Sequence, residues 1–289
     1  MSKTARWVAR AREEIIITSL QYSVIFLFCI LGRALCAQPL ELLCLNIRYD
    51  NPADGENAWT LRRELMAQWI QDSIQPDIIC LQEVLHHQLN YFDSLWKQDY
   101  GYFGVGREDG QWKGEYAPIF YKKCRFNMIQ SKTVWLSPTP DVPSKGWDAA
   151  CERIVTVVYL QDLVKNDTIC VFNTHWDHIG KEARTKSAEI LLEEYFKVPD
   201  HWGFFAAGDF NANSNESSIV RLMTEWRDIC PVEMRDQATL NRFDNTKTFE
   251  RIDFVWTRKK STLHFDYFQK RFLSTSRFIS DHDVIGWRL

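Results

Sequence analysis

The 289-residue sequence has no excess of positive charge: 35 Lys and Arg face 38 Asp and Glu, for a formal net charge of −3. That balance excludes a chain built around a broad basic surface, the usual means of holding long duplex nucleic acid. The eight cysteines form no CxxC pair and no regular spacing, which excludes zinc knuckles. No repeat period of roughly 20–50 residues is visible, which excludes a solenoid or propeller. No Pro-, Gly- or Ser-rich linker divides residues 38–289, so that stretch reads as one domain. A composition 45% hydrophobic, 14% aromatic and 25% charged excludes disorder, collagen and coiled coil.

Residues 1–37 differ from the rest. Lys3, Arg6, Arg10 and Arg12 make a basic start. Ile15-Ile16-Ile17 and the run 24–31 make an apolar centre, and Ala34-Leu35-Cys36-Ala37 precedes Gln38. This order predicts a secretory signal cut after Ala37 and an exported product, periplasmic or secreted. The competing reading is an uncleaved membrane anchor formed by residues 15–31. Against it, the apolar stretch is shorter than the ~20 residues a span needs, and Thr18, Ser19, Gln21 and Ser23 interrupt it. Cleavage would remove five basic and two acidic residues, leaving 252 residues with a net charge of −6. Of the six remaining cysteines, Cys44, Cys80 and Cys170 lie inside apolar runs. They read as buried small hydrophobes rather than as a disulfide framework.

Apolar runs predict strands over 40–46, 78–81, 116–121, 125–136, 153–160, 168–173, 204–207, 251–256, 263–268 and 284–289. Leu61, Leu65, Trp69 and Ile70 form a helical stripe over 59–75, and 86–98 and 181–196 are further helices. Many strands with few helices imply two packed sheets with helices outside, an α/β arrangement.

Polar residues recur where these strands end. Asn46, Glu83 and His175 each follow an apolar run, Asp209 and Asn211 follow another, Asp253 sits in a strand, and Asp281-His282 precede the last one. Any one of these could cap a loop. Six occurrences carrying Glu, His and Asp together point instead to one rim of a sheet core. Glu83 and Asp281 are hard oxygen ligands and Asn46 a neutral one, which suits Mg²⁺ or Mn²⁺. Asp209 could orient and deprotonate a water, and His175 and His282 could donate to phosphoryl oxygens. Together these describe metal-assisted attack of water on a phosphate ester.

The order and wording of Leu45-Asn46-Ile47-Arg48, Leu81-Gln82-Glu83-Val84, Asn173-Thr174-His175, Gly208-Asp209-Phe210-Asn211, Arg251-Ile252-Asp253-Phe254 and Ser280-Asp281-His282 resemble the endonuclease/exonuclease/phosphatase superfamily. The likeness runs over residues 40–289. It implies a four-layer α/β/β/α sandwich and Mg²⁺-dependent hydrolysis of phosphodiesters or phosphomonoesters. It further implies that Glu83 is the main metal ligand, with Asn46 and Asp281 nearby, and that Asp209 activates the water while Asn211 steadies it. His282 would face the phosphate, held by Asp253, and His175 would be a second phosphate contact. Arg153, in Cys151-Glu152-Arg153, resembles an arginine that some members place on the substrate phosphate.

One departure and three further segments narrow the resemblance. The apurinic endonucleases carry an acidic residue where Arg48 stands, so Arg48 would add positive charge beside the phosphate and remove a possible second metal ligand. The segments 48–57 and 146–150, and His175-Trp176-Asp177-His178, resemble a bacterial exported branch related to the deadenylase-like members. His175 and His178 with Asp209 and His282 offer a dinuclear zinc alternative. However, no Gly-Asn-His-Glu segment is present, and Asn173 stands where a metallo-β-lactamase pattern needs His. A non-catalytic binding sandwich is the other class, and it would be marked by loss of Asp209 or His282, both of which are present. The substrate is left open among short single-stranded nucleic acid, small phosphodiesters, sugar or inositol phosphates and lipid headgroups. Arg62-Arg63, Lys122-Lys123 and Lys259-Lys260 read as solvated surface, and Trp112 and Trp147 as packing residues rather than stacking platforms. No stable protein partner is implied, and a monomer is expected.

Overall fold

The central strands are nearly continuously apolar rather than alternating because both faces of each sheet are covered there. The computed structural model describes residues 39–289 apart from Thr248, Phe272, Thr275 and Ser276. The expected signal segment 1–37 lies outside the described residues. One six-stranded sheet contains β1 (Glu41–Asn46), β2 (Ile78–Gln82), β3 (Tyr100–Phe103), β4 (Ile119–Lys122), β11 (Asp266–Lys270) and β14 (Val284–Arg288), in the order β11-β14-β1-β2-β4-β3. The second contains β5 (Phe126–Trp135), β6 (Ile154–Asp162), β7 (Asp167–His175), β8 (Gly203–Asp209), β9 (Trp226–Asp228) and β10 (Asp253–Arg258), in the order β5-β6-β7-β8-β10-β9. A small pair, β12 (Leu273–Ser274) and β13 (Arg277–Phe278), stands apart. The helices are α1 (Trp59–Gln68), α2 (His86–Trp96), α3 (Lys181–Tyr195) and the short α4 (Ser217–Leu222).

Successive residues of a strand point to opposite faces, so the parity of each strand sorts its side chains into layers. Leu43 and Leu45 of β1 join Met66, Ile70, Phe92 and Trp96 beneath α1 and α2. Phe172, Phe204 and Ala206 join Leu191 and Leu192 beneath α3. The opposite parity, Leu42 and Cys44 with Val171, Phe205 and Ala207, fills the space between the sheets. The result is the expected α/β/β/α sandwich. Among the described residues, no helix is long and apolar enough to cross a membrane.

Strand direction builds the rim. β1 runs parallel to β2, and β7 parallel to β8, so Asn46, Gln82, His175 and Asp209 all end at one side. β14 runs antiparallel to β1 and β10 antiparallel to β8, so their starting residues arrive at that same side.

Several local expectations differ. The helix predicted over 59–75 closes as a π-helical turn at Trp69–Ile74 and is stopped by left-handed Gln75. β3 was not resolved from its extended surroundings, and β9 and α4 are too short for a periodic signal. Arg62 is not solvated surface: it lies on the covered side of α1 and is 2% exposed. Trp112 is not a packing residue, being 63% exposed, while Trp147 is half-buried. Cys44, Cys80 and Cys170 are buried and unpaired, as their apolar runs imply.

Candidate active site

The rim carries a cleft of about 700 Å³ lined by Glu83, Arg153, His175, Asp209, Asn211, Asp281 and His282, among others. Four residues there are neighbours by strand pairing or chain position. His175 pairs with Asp209 across β7 and β8, Asp209 pairs with Asp253 across β8 and β10, and Asn211 follows two residues on. Gly208 makes this close approach possible: its φ is +155°, and a Cβ there would stand 2.1 Å from the Thr174 carbonyl oxygen.

Asp209 is at the centre. Its Oδ2 accepts from Asn46 Nδ2 at 3.0 Å and lies 3.6 Å from His175 Nε2 and 3.7 Å from His282 Nε2. Its Oδ1 accepts the Asn211 backbone N–H at 2.9 Å. Burial raises its pKa, the Asp253 charge adds to that, and the two histidines oppose it.

The two histidines are set to opposite states. His282 Nδ1 donates to Asp253 Oδ2 at 2.8 Å. Burial alone would neutralise this ring, but the Asp253 charge and hydrogen bond hold its pKa well above the usual value. His175 is pushed down to about 3 by burial, with the Arg153 charge adding to the effect, so it is neutral. Asn211 Nδ2 donates to His175 Nε2 at 3.0 Å and to the Trp176 carbonyl at 2.9 Å, which assigns the His175 proton to Nδ1. That Nδ1 is buried without a hydrogen bond, and Glu115 Oε2 stands 3.6 Å away.

The first sheet contributes a second group of oxygens. Glu83 accepts from Asn46 Nδ2 and from the Tyr49 backbone N–H, each at 3.0 Å. The Asn46 Oδ1 takes the Arg48 N–H at 2.9 Å, leaving one lone pair free. Arg48, Glu83 and Asn211 all have left-handed backbones, with φ of 60°, 59° and 47°. Non-glycine residues hold this conformation only where their surroundings enforce it, and such residues gather at functional sites. Asp281 is buried with its pKa raised by that burial and by the charge of Glu83. A carboxylate raised by burial beside another negative charge, as Asp281 is beside Glu83, is relieved by a divalent cation, and the donors are the hard oxygens such an ion takes. The residues present therefore fit a divalent metal. Ligand atoms of Glu83, His175 and Asp209 also lie within 4.8 Å of one another.

The arginines divide. The Arg48 guanidinium is committed to Asp54 through two bonds of 2.9 and 3.0 Å and faces Asp281 at 3.7 Å, so its charge serves carboxylates already present. Arg153 is 4% exposed and donates to Asp177 Oδ2 and His178 Nδ1, but its Nη1 is buried with no partner. His178 Nδ1 is thus engaged by Arg153, and His178 groups with Cys151 and Asp177 rather than with His175. Sequence reasoning missed Glu115 and its bidentate partner Arg107, which reach the cleft from a loop carrying no strand-end signal. It also assigned no role to Gln82 and Asn173. Gln82 Nε2 donates to Asn173 Oδ1 at 2.7 Å, and Asn173 Nδ2 donates to the Leu81 and Pro118 carbonyls at 2.8 Å, joining the sheets beside the site.

The chain matches the model of the Endonuclease/Exonuclease/phosphatase family over residues 43–282. It is similar to the structure of an endonuclease/exonuclease/phosphatase from Bacteroides vulgatus, at 30% identity over 86% of this chain and 97% of that one, with a TM-score of 0.78. It is similar to the mannosyl-6-phosphatase of Bacteroides thetaiotaomicron, at 30% identity over 86% and 98%, with a TM-score of 0.76. It is also similar to the CCR4-Not complex 3'-5'-exoribonuclease subunit Ccr4 of Emericella nidulans, at 28% identity over 48% of this chain and 23% of that protein. The chain spans less than two thirds of the length of the curated relatives it matches.

Proposed function

The chain belongs to the endonuclease/exonuclease/phosphatase family, and from that premise we propose that its cleft hydrolyses small phosphate esters with Mg²⁺ or Mn²⁺. One observation carries the reading: a buried carboxylate, Asp209, stands between two imidazoles, one charged and one neutral, and is tied through Asn46 to Glu83. Two titratable rings pushed to opposite states around one carboxylate are the signature of divided acid–base work.

Glu83 and Asp281, with the free lone pair of Asn46 Oδ1, would hold the cation. When bound, the ion supplies Lewis-acid polarisation of a phosphoryl oxygen. Asp209 takes the proton of the attacking water, and its burial makes it a stronger base than an exposed carboxylate. Asn46 Nδ2 and the Asn211 N–H keep that carboxylate from turning. His282, charged by Asp253, donates through Nε2 to a phosphoryl oxygen as negative charge develops. His175 offers its Nδ1–H. Arg153 offers Nη1, whose missing partner a phosphate oxygen would supply.

A cleft of about 700 Å³ is the size of a small-molecule site. The likeness to a mannosyl-6-phosphatase along nearly its whole length supports a sugar phosphate. The partial likeness to an exoribonuclease makes short single-stranded nucleic acid the other substrate to try. The test is hydrolysis of p-nitrophenyl phosphate and bis-p-nitrophenyl phosphate with and without chelator, followed by hexose phosphates and short RNA and DNA strands. Activity that survives exhaustive chelation, or that returns only with zinc, would contradict the metal assignment. Cleavage of oligonucleotides without any hydrolysis of monoesters would move the substrate class to nucleic acid.

The N-terminal sequence supports export with cleavage after Ala37. N-terminal sequencing of the exported protein should begin at Gln38, and a full-length, membrane-embedded product would overturn this.

A further inference from the structure

Arg62 is a buried arginine whose four hydrogen bonds all end on main-chain carbonyls. Nε donates to Asn57 O at 2.6 Å, Nη1 to Ile47 O at 2.7 Å and to Ile279 O at 2.8 Å, and Nη2 to Arg48 O at 3.0 Å. The guanidinium also faces the Trp59 and Phe243 rings at 5.7 and 5.6 Å. The carbonyls come from separate parts of the chain. Ile47 precedes Arg48, whose left-handed backbone leads to Tyr49, which donates its N–H to Glu83, while the Arg48 N–H fixes Asn46. Ile279 lies two residues before Asp281. One planar fork therefore joins the turn that holds Glu83 and Asn46 to the segment that carries Asp281. A lysine, with a single nitrogen, cannot span those directions.

We infer that Arg62 is a positioning residue for the divalent-cation site, presetting Glu83, Asn46 and Asp281 as one shell before any ion arrives. The inference rests on the metal-dependent reading above. Ordinary helix packing would not need Arg62 to hold these carbonyls, and its charge stays in the protein: burial lowers its pKa to about 10, so it remains protonated at neutral pH. Partners that orient ligands typically govern metal affinity by about 10–100-fold.

The test compares Arg62→Lys with Arg125→Lys. Arg125 is also buried but pairs with Asp77 and Asp162 at the opposite end of the strands. Thermal unfolding of the full chain is followed across Mg²⁺ and Mn²⁺ titrations, with activity titrated alongside. In Arg62→Lys the cation midpoint should rise about tenfold or more, with kcat at saturating cation largely kept. Arg125→Lys should unfold earlier yet keep the wild-type midpoint. An Arg62→Lys midpoint within about twofold of wild type would overturn the role. If Arg62→Lys does not fold, ¹⁵N-arginine spectra of the wild-type chain take its place. The Arg62 Nη signals should already be distinct and slow to exchange in the cation-free chain, and Nη signals that are averaged without cation and become ordered only on cation binding would overturn the role. A wild-type Tm that responds to neither cation would overturn the metal-dependent reading as well.

Discussion

On the second sheet three of the functional groups are strand-terminal residues, with Arg153 and Asn211 just outside their strands: His175 ends β7, Asp209 ends β8 and Asp253 begins β10, all in register with one another. On the first sheet most of them stand outside the strands. Glu83 follows β2, and Asp281 and His282 precede β14, with only Asn46 as a strand's last residue. Register fixes the spacing of the first set directly, because adjacent strands lie about 4.8 Å apart. The second set depends on left-handed turns and on braces such as Arg62 and Ser280, whose Oγ donates to the Asn46 carbonyl. The proton transfer proposed for Asp209 would demand tight alignment, and the ladder supplies it for that residue and its β7 and β10 neighbours. The proposed cation shell would also need defined geometry, but its ligands would be gathered from turns that something else must hold.

If that division is right, variants on the two sheets should fail differently. The largest effect belongs to Asp209→Asn. It keeps the shape but cannot accept a proton, so kcat should fall ~10²–10⁴-fold, with circular dichroism and cation binding near wild type. Excess Mg²⁺ should not restore it. Recovery by metal would place Asp209 in the cation shell and erase the contrast between the sheets. Glu83→Gln should instead raise the cation midpoint by about 10–100-fold and recover much of its rate at high Mg²⁺, measured by titrating activity against cation. Next comes Arg153→Gln, which removes a charged donor worth about 1.5–3 kcal/mol to a bound anion. Its signature is a KM raised roughly tenfold or more with little change in the cation midpoint, read from steady-state kinetics. The smallest expected effect on chemistry is that of Asn173→Ala. It orphans buried partners in both sheets and should cost about 1–3 kcal/mol of stability, seen as a Tm lowered by several degrees. A cation midpoint that moved as far as in Glu83→Gln would show that the sheets are not independent supports.

Much of the fold was legible because it depends on local runs. The strands around Leu43, Ile79, Phe172 and Phe205 are long apolar stretches bounded by polar residues, and burial on both faces requires that pattern. Asn46, Glu83, His175, Asp209 and His282 were legible as candidates because each sits at a strand boundary. Glu115 was not, because its loop is held by turns and by its own pair with Arg107, which leave no periodic trace. Arg62 was misread for a related reason. A charged residue in an amphipathic helix reads as solvent-facing unless one knows which carbonyls end beside it.

The sequence by itself determined the sandwich class, the strand-end residues and the kind of chemistry they suit, since hydrophobic periodicity and side-chain functional groups are properties of the chain alone. Only the tertiary structure decided their electrical states and their division of labour. His282 is charged and His175 neutral because one faces Asp253 and the other is buried beside Arg153. Arg48 is taken by Asp54 while Arg153 keeps a free donor. Desolvation and charge–charge energies depend on separations between residues far apart in sequence, and those distances exist only once the two sheets have packed.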